Sequence, residues 1–169
     1  MPLVDIVIDK TVELALSGRW RIATCAAHGV SCEGWLKVEV LHSLYEALGS
    51  FSEIEIIPEA RNVDLTVQTR TERLLLELKT FPTNYGRTGK PVTNFVEGVV
   101  RDLEKLARLR GSSDIGLAVW MAYVIPEPVP ATWAGHLAKI EAAAAKTRRS
   151  ERIVLWENAF ANLYIMESK

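Results

Sequence analysis

VDLTVQTRTERLLLELKT, residues 63–80, reads as two strands and a turn. Val63, Leu65 and Val67 alternate with Asp64, Thr66 and Gln68, the period of a strand with one buried face. The polar stretch Arg70–Glu72 then separates this segment from RLLLELKT, residues 73–80, which predicts an antiparallel hairpin. Side chains alternate across a strand, so Leu75, Glu77 and Lys79 share one face and Leu74, Leu76 and Leu78 the other. Hairpin pairing is expected to bring Asp64 beside Glu77. Two carboxylates and a lysine then meet on a sheet that otherwise reads as core.

Outward from the hairpin, SEIEIIPEA (52–60) alternates as a third extended segment. Before it, Val38, Leu41, Tyr45 and Leu48 recur at three- and four-residue steps and predict a helix from Gly34 to Leu48, with these residues inward and Gly49 as its stop. After the hairpin comes the loop FPTNYGRTGKPVTN, then a predicted helix over 94–110 with Phe95, Val99, Leu103 and Leu106 inward and Gly111 at its end. DIGLAVWMAYVI (114–125) is apolar almost throughout, as in a strand buried on both faces. PEPVP breaks the chain. ATWAGHLAKIEAAAAKTRR (131–149) predicts a helix on its alanine content, and RIVLW and FANLYIM two late strands. Residues 1–30 are ambiguous: LVDIVIDKTVELAL mixes β-branched residues with a helical rhythm, and RWRIATCAA reads as extended. The expectation is one α/β domain over 1–169, with a mixed sheet flanked by helices.

Composition agrees with a soluble globular protein, since 49% of the 169 residues are hydrophobic and 24% charged. The net charge of −1 excludes a chain that binds polyanions by bulk charge, so nucleic-acid contact needs a local basic patch, a second subunit or a partner. No apolar run is long enough for a bilayer, and MPLVDIVIDK has acids where a signal peptide needs basic residues. A cytoplasmic protein is expected.

Two carboxylates side by side resist ionisation unless a cation compensates them. A hard divalent ion does so, and Mg²⁺ favours one or two carboxylates plus water. Such an ion stabilises charge on a phosphoryl group, and a lysine beside it can orient or deprotonate water. The stretch resembles the signature of the PD-(D/E)XK nuclease superfamily: an Asp at the start of one strand, then Glu-x-Lys late in the next. Asp64, Glu77 and Lys79 occupy those places, and Val63 stands where the pattern has Pro. The order helix, three strands, helix, strand over about residues 34–125 also resembles the superfamily's core.

The resemblance implies a restriction-endonuclease-like fold and Mg²⁺- or Mn²⁺-dependent hydrolysis of phosphodiesters, with DNA as substrate. It implies that Asp64, Glu77 and the Leu78 backbone carbonyl hold the metal and that Lys79 activates water. It further implies an acid on the preceding helix. Glu39 and Glu46 qualify, and Glu39 matches by position. Restriction, repair, recombination and defence are settings it allows, as is action as a homodimer or with a partner protein. On the following helix Arg101, Lys105 and Arg108 form a basic stripe, from which Arg101 or Lys105 can reach phosphate. The plainer reading is an exterior paired as Glu97–Arg101 and Glu104–Arg108. Asp102 falls close to the apolar face and is expected to meet backbone or a lysine. Arg87 and Lys90 in the loop are further phosphate candidates.

Two alternatives stay open. One is a non-catalytic binding or assembly module on the same fold, which the near-zero charge favours. The other is a zinc site in CAAHGVSC, from Cys25, His28 and Cys32, although a structural site needs four ligands.

Overall fold

A computed structural model describes residues 2–83 and 92–169, apart from the side chain of Arg61. Arg87 and Lys90 lie outside the described residues. The elements run α1 (Leu3–Ser17), α2 (Arg19–His28), α3 (Glu33–Leu48), β1 (Glu55–Pro58), a 3-10 turn (Ala60–Asn62), β2 (Leu65–Gln68), β3 (Arg73–Pro82), α4 (Val92–Leu109), β4 (Asp114–Pro126), α5 (Ala131–Ala143), β5 (Ala144–Trp156) and β6 (Ala159–Ser168). One six-stranded sheet has the order β1-β2-β3-β4-β6-β5. Among the described residues only β3 and β4 are parallel neighbours, joined by α4, and the other pairings are antiparallel. The expected α/β class and mixed sheet are both present.

Each face of the sheet carries its own core. Leu74, Leu76 and Leu78 of β3 and Leu117, Val119, Met121 and Tyr123 of β4 face α1, α2 and α3. Leu75, Ala118, Trp120 and Ala122 face α4 and α5. The uniform hydrophobicity of β4 therefore has the predicted cause: both of its faces are covered. Trp120 is fully buried and Tyr164 of β6 stacks on it at 4.3 Å.

Several local expectations need correction. The α3 face is rotated: Leu36, Val40, Leu44 and Leu48 are buried, while Val38 is 65% and Tyr45 49% exposed. This helix carries apolar residues on two stripes, so periodicity alone does not orient it, and the Tyr45 hydroxyl instead donates to the Ile56 carbonyl at 3.0 Å. RWRIATCAA is helical, not extended. Ile22 and Ala26, one turn apart, are its buried residues, and Gly29 ends it in the left-handed region at φ 66°. The alanine-rich helix stops at Ala143, and AAKTRR already belongs to β5, because Ala144, Lys146 and Thr147 pair with β6. Tertiary pairing overrides alanine's helix preference there.

Candidate functional site

β2 begins at Leu65, which pairs with Leu76 of β3. Asp64 lies in the bend just before the strand, and its charge acts on Glu77, although its carboxylate turns to α3 and that of Glu77 to α4. The ladder with β2 ends there, and the Asp64 side chain continues it: the Leu78 amide donates to Asp64 Oδ2 at 2.8 Å. In a strand the N–H and C=O of one residue project to the same edge. The Leu78 carbonyl therefore opens on the Asp64 side.

Glu77 and Lys79 point to the α4 face. Glu77 is 7% exposed. Its Oε1 touches the Lys105 ammonium as an ion pair. Lys105 is thereby the charge partner of this buried carboxylate. Burial pushes the Glu77 carboxyl up to about 7; Lys105 opposes this, and the charges of Asp64 and Asp102 add to it. Lys79 pairs with Asp102 at 2.7 Å, which answers the expectation that Asp102 would find a lysine. Gly98, one turn before Asp102 on α4, gives Lys79 its space: a Cβ at Gly98 would stand 3.1 Å from Lys79 Cε. Lys105 also donates to the Asn62 carbonyl at 2.7 Å, tying α4 to the turn that delivers Asp64.

α3 contributes two residues that the sequence did not single out. Lys37 pairs with Asp64 at 2.8 Å and with Glu33 at 3.2 Å. Partial burial lowers the Lys37 pKa, yet Asp64 and Glu33 lift it above the ordinary lysine range. Glu33 Oε2 accepts from the Thr80 amide at 3.4 Å, one strand repeat beyond the Asp64–Leu78 contact. Glu33 and Asp64 thus line the free edge of β3, with Lys37 between them. The predicted helix began at Gly34 and left Glu33 outside. An acid at a helix N-terminus was the available signal.

The acid expected on that helix, Glu39, is placed elsewhere: it pairs with Arg21 of α2 at 3.0 Å. Of the basic stripe on α4, only Lys105 enters the cluster; Arg101 and Arg108 are exposed. Glu97 turns to Lys139 of α5 at 3.6 Å and not to Arg101. A hollow of about 260 Å³ opens beside Lys37 and Asp64, with Val38, Leu41, Pro58 and Leu65 on its walls.

Cys25 and Cys32 are free thiols. The buried Cys32 Sγ lies 3.6 Å from Thr80 Oγ1, and burial pushes its pKa up to about 11. Among the described residues no three His, Cys, Asp or Glu side chains group as a metal site. The oxygen donors at the strand end are of another kind, two carboxylates and a backbone carbonyl. Asp64 and Glu77 are hard oxygen donors of the kind a divalent cation takes, each here in an ion pair with a lysine.

Comparison with protein-family models, with curated proteins and with solved structures finds no match to this chain.

Proposed function

We propose that the chain is a divalent-metal-dependent phosphodiesterase of the restriction-endonuclease-like type, acting on DNA. The observation that carries this reading is that Asp64, where the β2–β3 ladder ends, accepts from the Leu78 amide between Glu77 and Lys79 and acts by charge on Glu77. The element order from α3 to β4 and the PD-(D/E)XK resemblance support it. Asp64, Glu77 and the Leu78 carbonyl would hold Mg²⁺ or Mn²⁺. Bound there, the ion supplies Lewis-acid stabilisation of phosphoryl charge and lowers the pKa of water.

The protein's own groups do the rest. Asp102 fixes the Lys79 ammonium, so that it donates to the attacking water or to charge developing on the phosphate. Water adds to phosphorus and the bond to the 3′ oxygen breaks, leaving a 5′-phosphate and a 3′-hydroxyl. Glu33 joins the site as the acid from the preceding helix, in the role first assigned to Glu39. Lys105, and Arg101 on the exposed side of α4, bind backbone phosphate. No helix among the described residues is long and apolar enough to cross a membrane. The reading places the protein in the cytoplasm, as a homodimer or with a partner that supplies the positive charge it lacks.

One observation favours a second reading, a non-catalytic module on the same fold. Lys37 and Lys105 each neutralise one of the two carboxylates, as in a structural ion cluster. Supercoiled, linear, single-stranded and branched DNA, incubated with Mg²⁺, Mn²⁺ or EDTA, separates the two. Catalysis predicts metal-dependent cleavage that falls by about 10²-fold or more in Glu77→Ala and Lys79→Ala. No cleavage, together with no divalent binding sensitive to Glu77→Ala, establishes the module.

A further inference from the structure

Lys105 makes two contacts, and both concern the proposed cation site. Its ammonium presses on Glu77 Oε1 as an ion pair. It also donates to the carbonyl of Asn62, two residues before Asp64. The Lys105 side chain is 29% exposed and that of Glu77 8%. The lysine therefore reaches the carboxylate from the solvent side of α4. Lys79, the other lysine on this face, is committed to Asp102.

A divalent ion drawn to that oxygen competes with the ammonium, since the two cations repel at that distance. We infer that Lys105 is the resting counter-ion of Glu77 and that a divalent cation enters only as Lys105 withdraws. This rests on the cation site proposed above and assigns its control to a residue outside the motif. The Asn62 carbonyl is the tether: displaced from Glu77, the ammonium keeps a hydrogen bond at the site's edge. The apparent affinity for the cation is then the intrinsic affinity reduced by the fraction of molecules in which Lys105 has left Glu77.

The test is calorimetric titration of Mn²⁺ into the full chain without DNA, comparing wild type, Lys105→Met, Lys105→Arg and Glu77→Gln. Thermal unfolding establishes that each variant is folded. The titration is run at about pH 8.5, so that no proton takes the lysine's place on Glu77. Lys105→Met, which keeps the stem and removes the charge, is expected to bind Mn²⁺ about fivefold or more tighter than wild type. Lys105→Arg keeps a counter-ion and should show no such gain, and Glu77→Gln should bind none. If wild type and Lys105→Met bind equally and Glu77→Gln does not, the inference about Lys105 is overturned and the cation site stands. If no variant binds, or if binding survives Glu77→Gln, the cation site fails and the inference with it.

Discussion

Burial and repulsion act together on Glu77, and the result can be read without any substrate. Its carboxyl titrates at about 7 in the fold against an ordinary 4.5, so the folded protein holds this proton more tightly than the unfolded chain does. The stability it contributes is fully present below about pH 4.5 and is lost as the pH rises through 7. At pH 8 the ionised carboxylate penalises folding by about 1–3 kcal/mol. Glu77→Gln is neutral at every pH. Thermal unfolding in EDTA should therefore show the variant gaining on wild type between pH 5 and 8, by about 2–8 °C in Tm. A difference that stays constant with pH would mean that the carboxyl is unperturbed. Glu77 and Lys79 were legible because strand alternation fixes their face, whereas Asp64 falls in a bend and turns toward Lys37 of α3. Glu33 and Lys37 were not legible, because they reach the strand edge from a distant helix, and side-chain reach across elements leaves no period in a sequence.

At the scale of elements, the close approach of α4 to β3 is what shapes the site. Gly98 is the point of contact, where the missing side chain leaves a channel for Lys79. Gly98→Ala adds a Cβ 3.1 Å from Lys79 Cε, the far end of a flexible side chain, so the lysine can yield by a few tenths of an ångström. Alanine also favours helix by about 1 kcal/mol over glycine. The fold should therefore tolerate Gly98→Ala with its Tm unchanged or raised, while DNA cleavage falls as Lys79 shifts from Asp102. Gly98→Leu should lower cleavage further. Paired measurement of Tm and cleavage rate checks this; a loss of both in parallel would assign Gly98 to packing alone. The elements differ in how plainly they were written. β3 and β4 have one dominant pattern each and follow it; before β2 the alternation breaks at Val63, which joins the α4-side core while Leu65 and Val67 join the other. α3 has two apolar stripes and was turned to the wrong face. In α1, Val4, Val7, Ile8 and Val12 are β-branched yet helical, because at that spacing they form one stripe packed against the core. The end of α5 was hidden because alanine favours helix, while β6 offers that segment a strand partner from beyond it.

For the molecule as a whole, the sheet does not end with the segment that carries the motif. Residues 34–125 resemble a complete core with later additions, but β6 lies between β4 and β5 and pairs along β4 from Leu117 to Ala122. Its side chains complete both cores: Leu163 and Ile165 lie among the residues facing α1–α3, and Phe160, Tyr164 and Met166 among those facing α4 and α5. A chain ending at Ala143 would leave β4 as a long, flat, apolar edge strand, a template for intermolecular pairing. It would also uncover Trp120, which Tyr164 now stacks against. The lost burial exceeds the few kcal/mol by which a domain of this size is stable. The truncated protein should therefore be recovered largely insoluble, or, if soluble, without near-ultraviolet circular dichroism and without a cooperative thermal transition. A cooperative transition in that protein would show that the motif-bearing segment folds unaided and that β5 and β6 are appendages. The expected failure would instead mean that Asp64, Glu77 and Lys79 depend for their geometry on strands contributed from the far end of the chain.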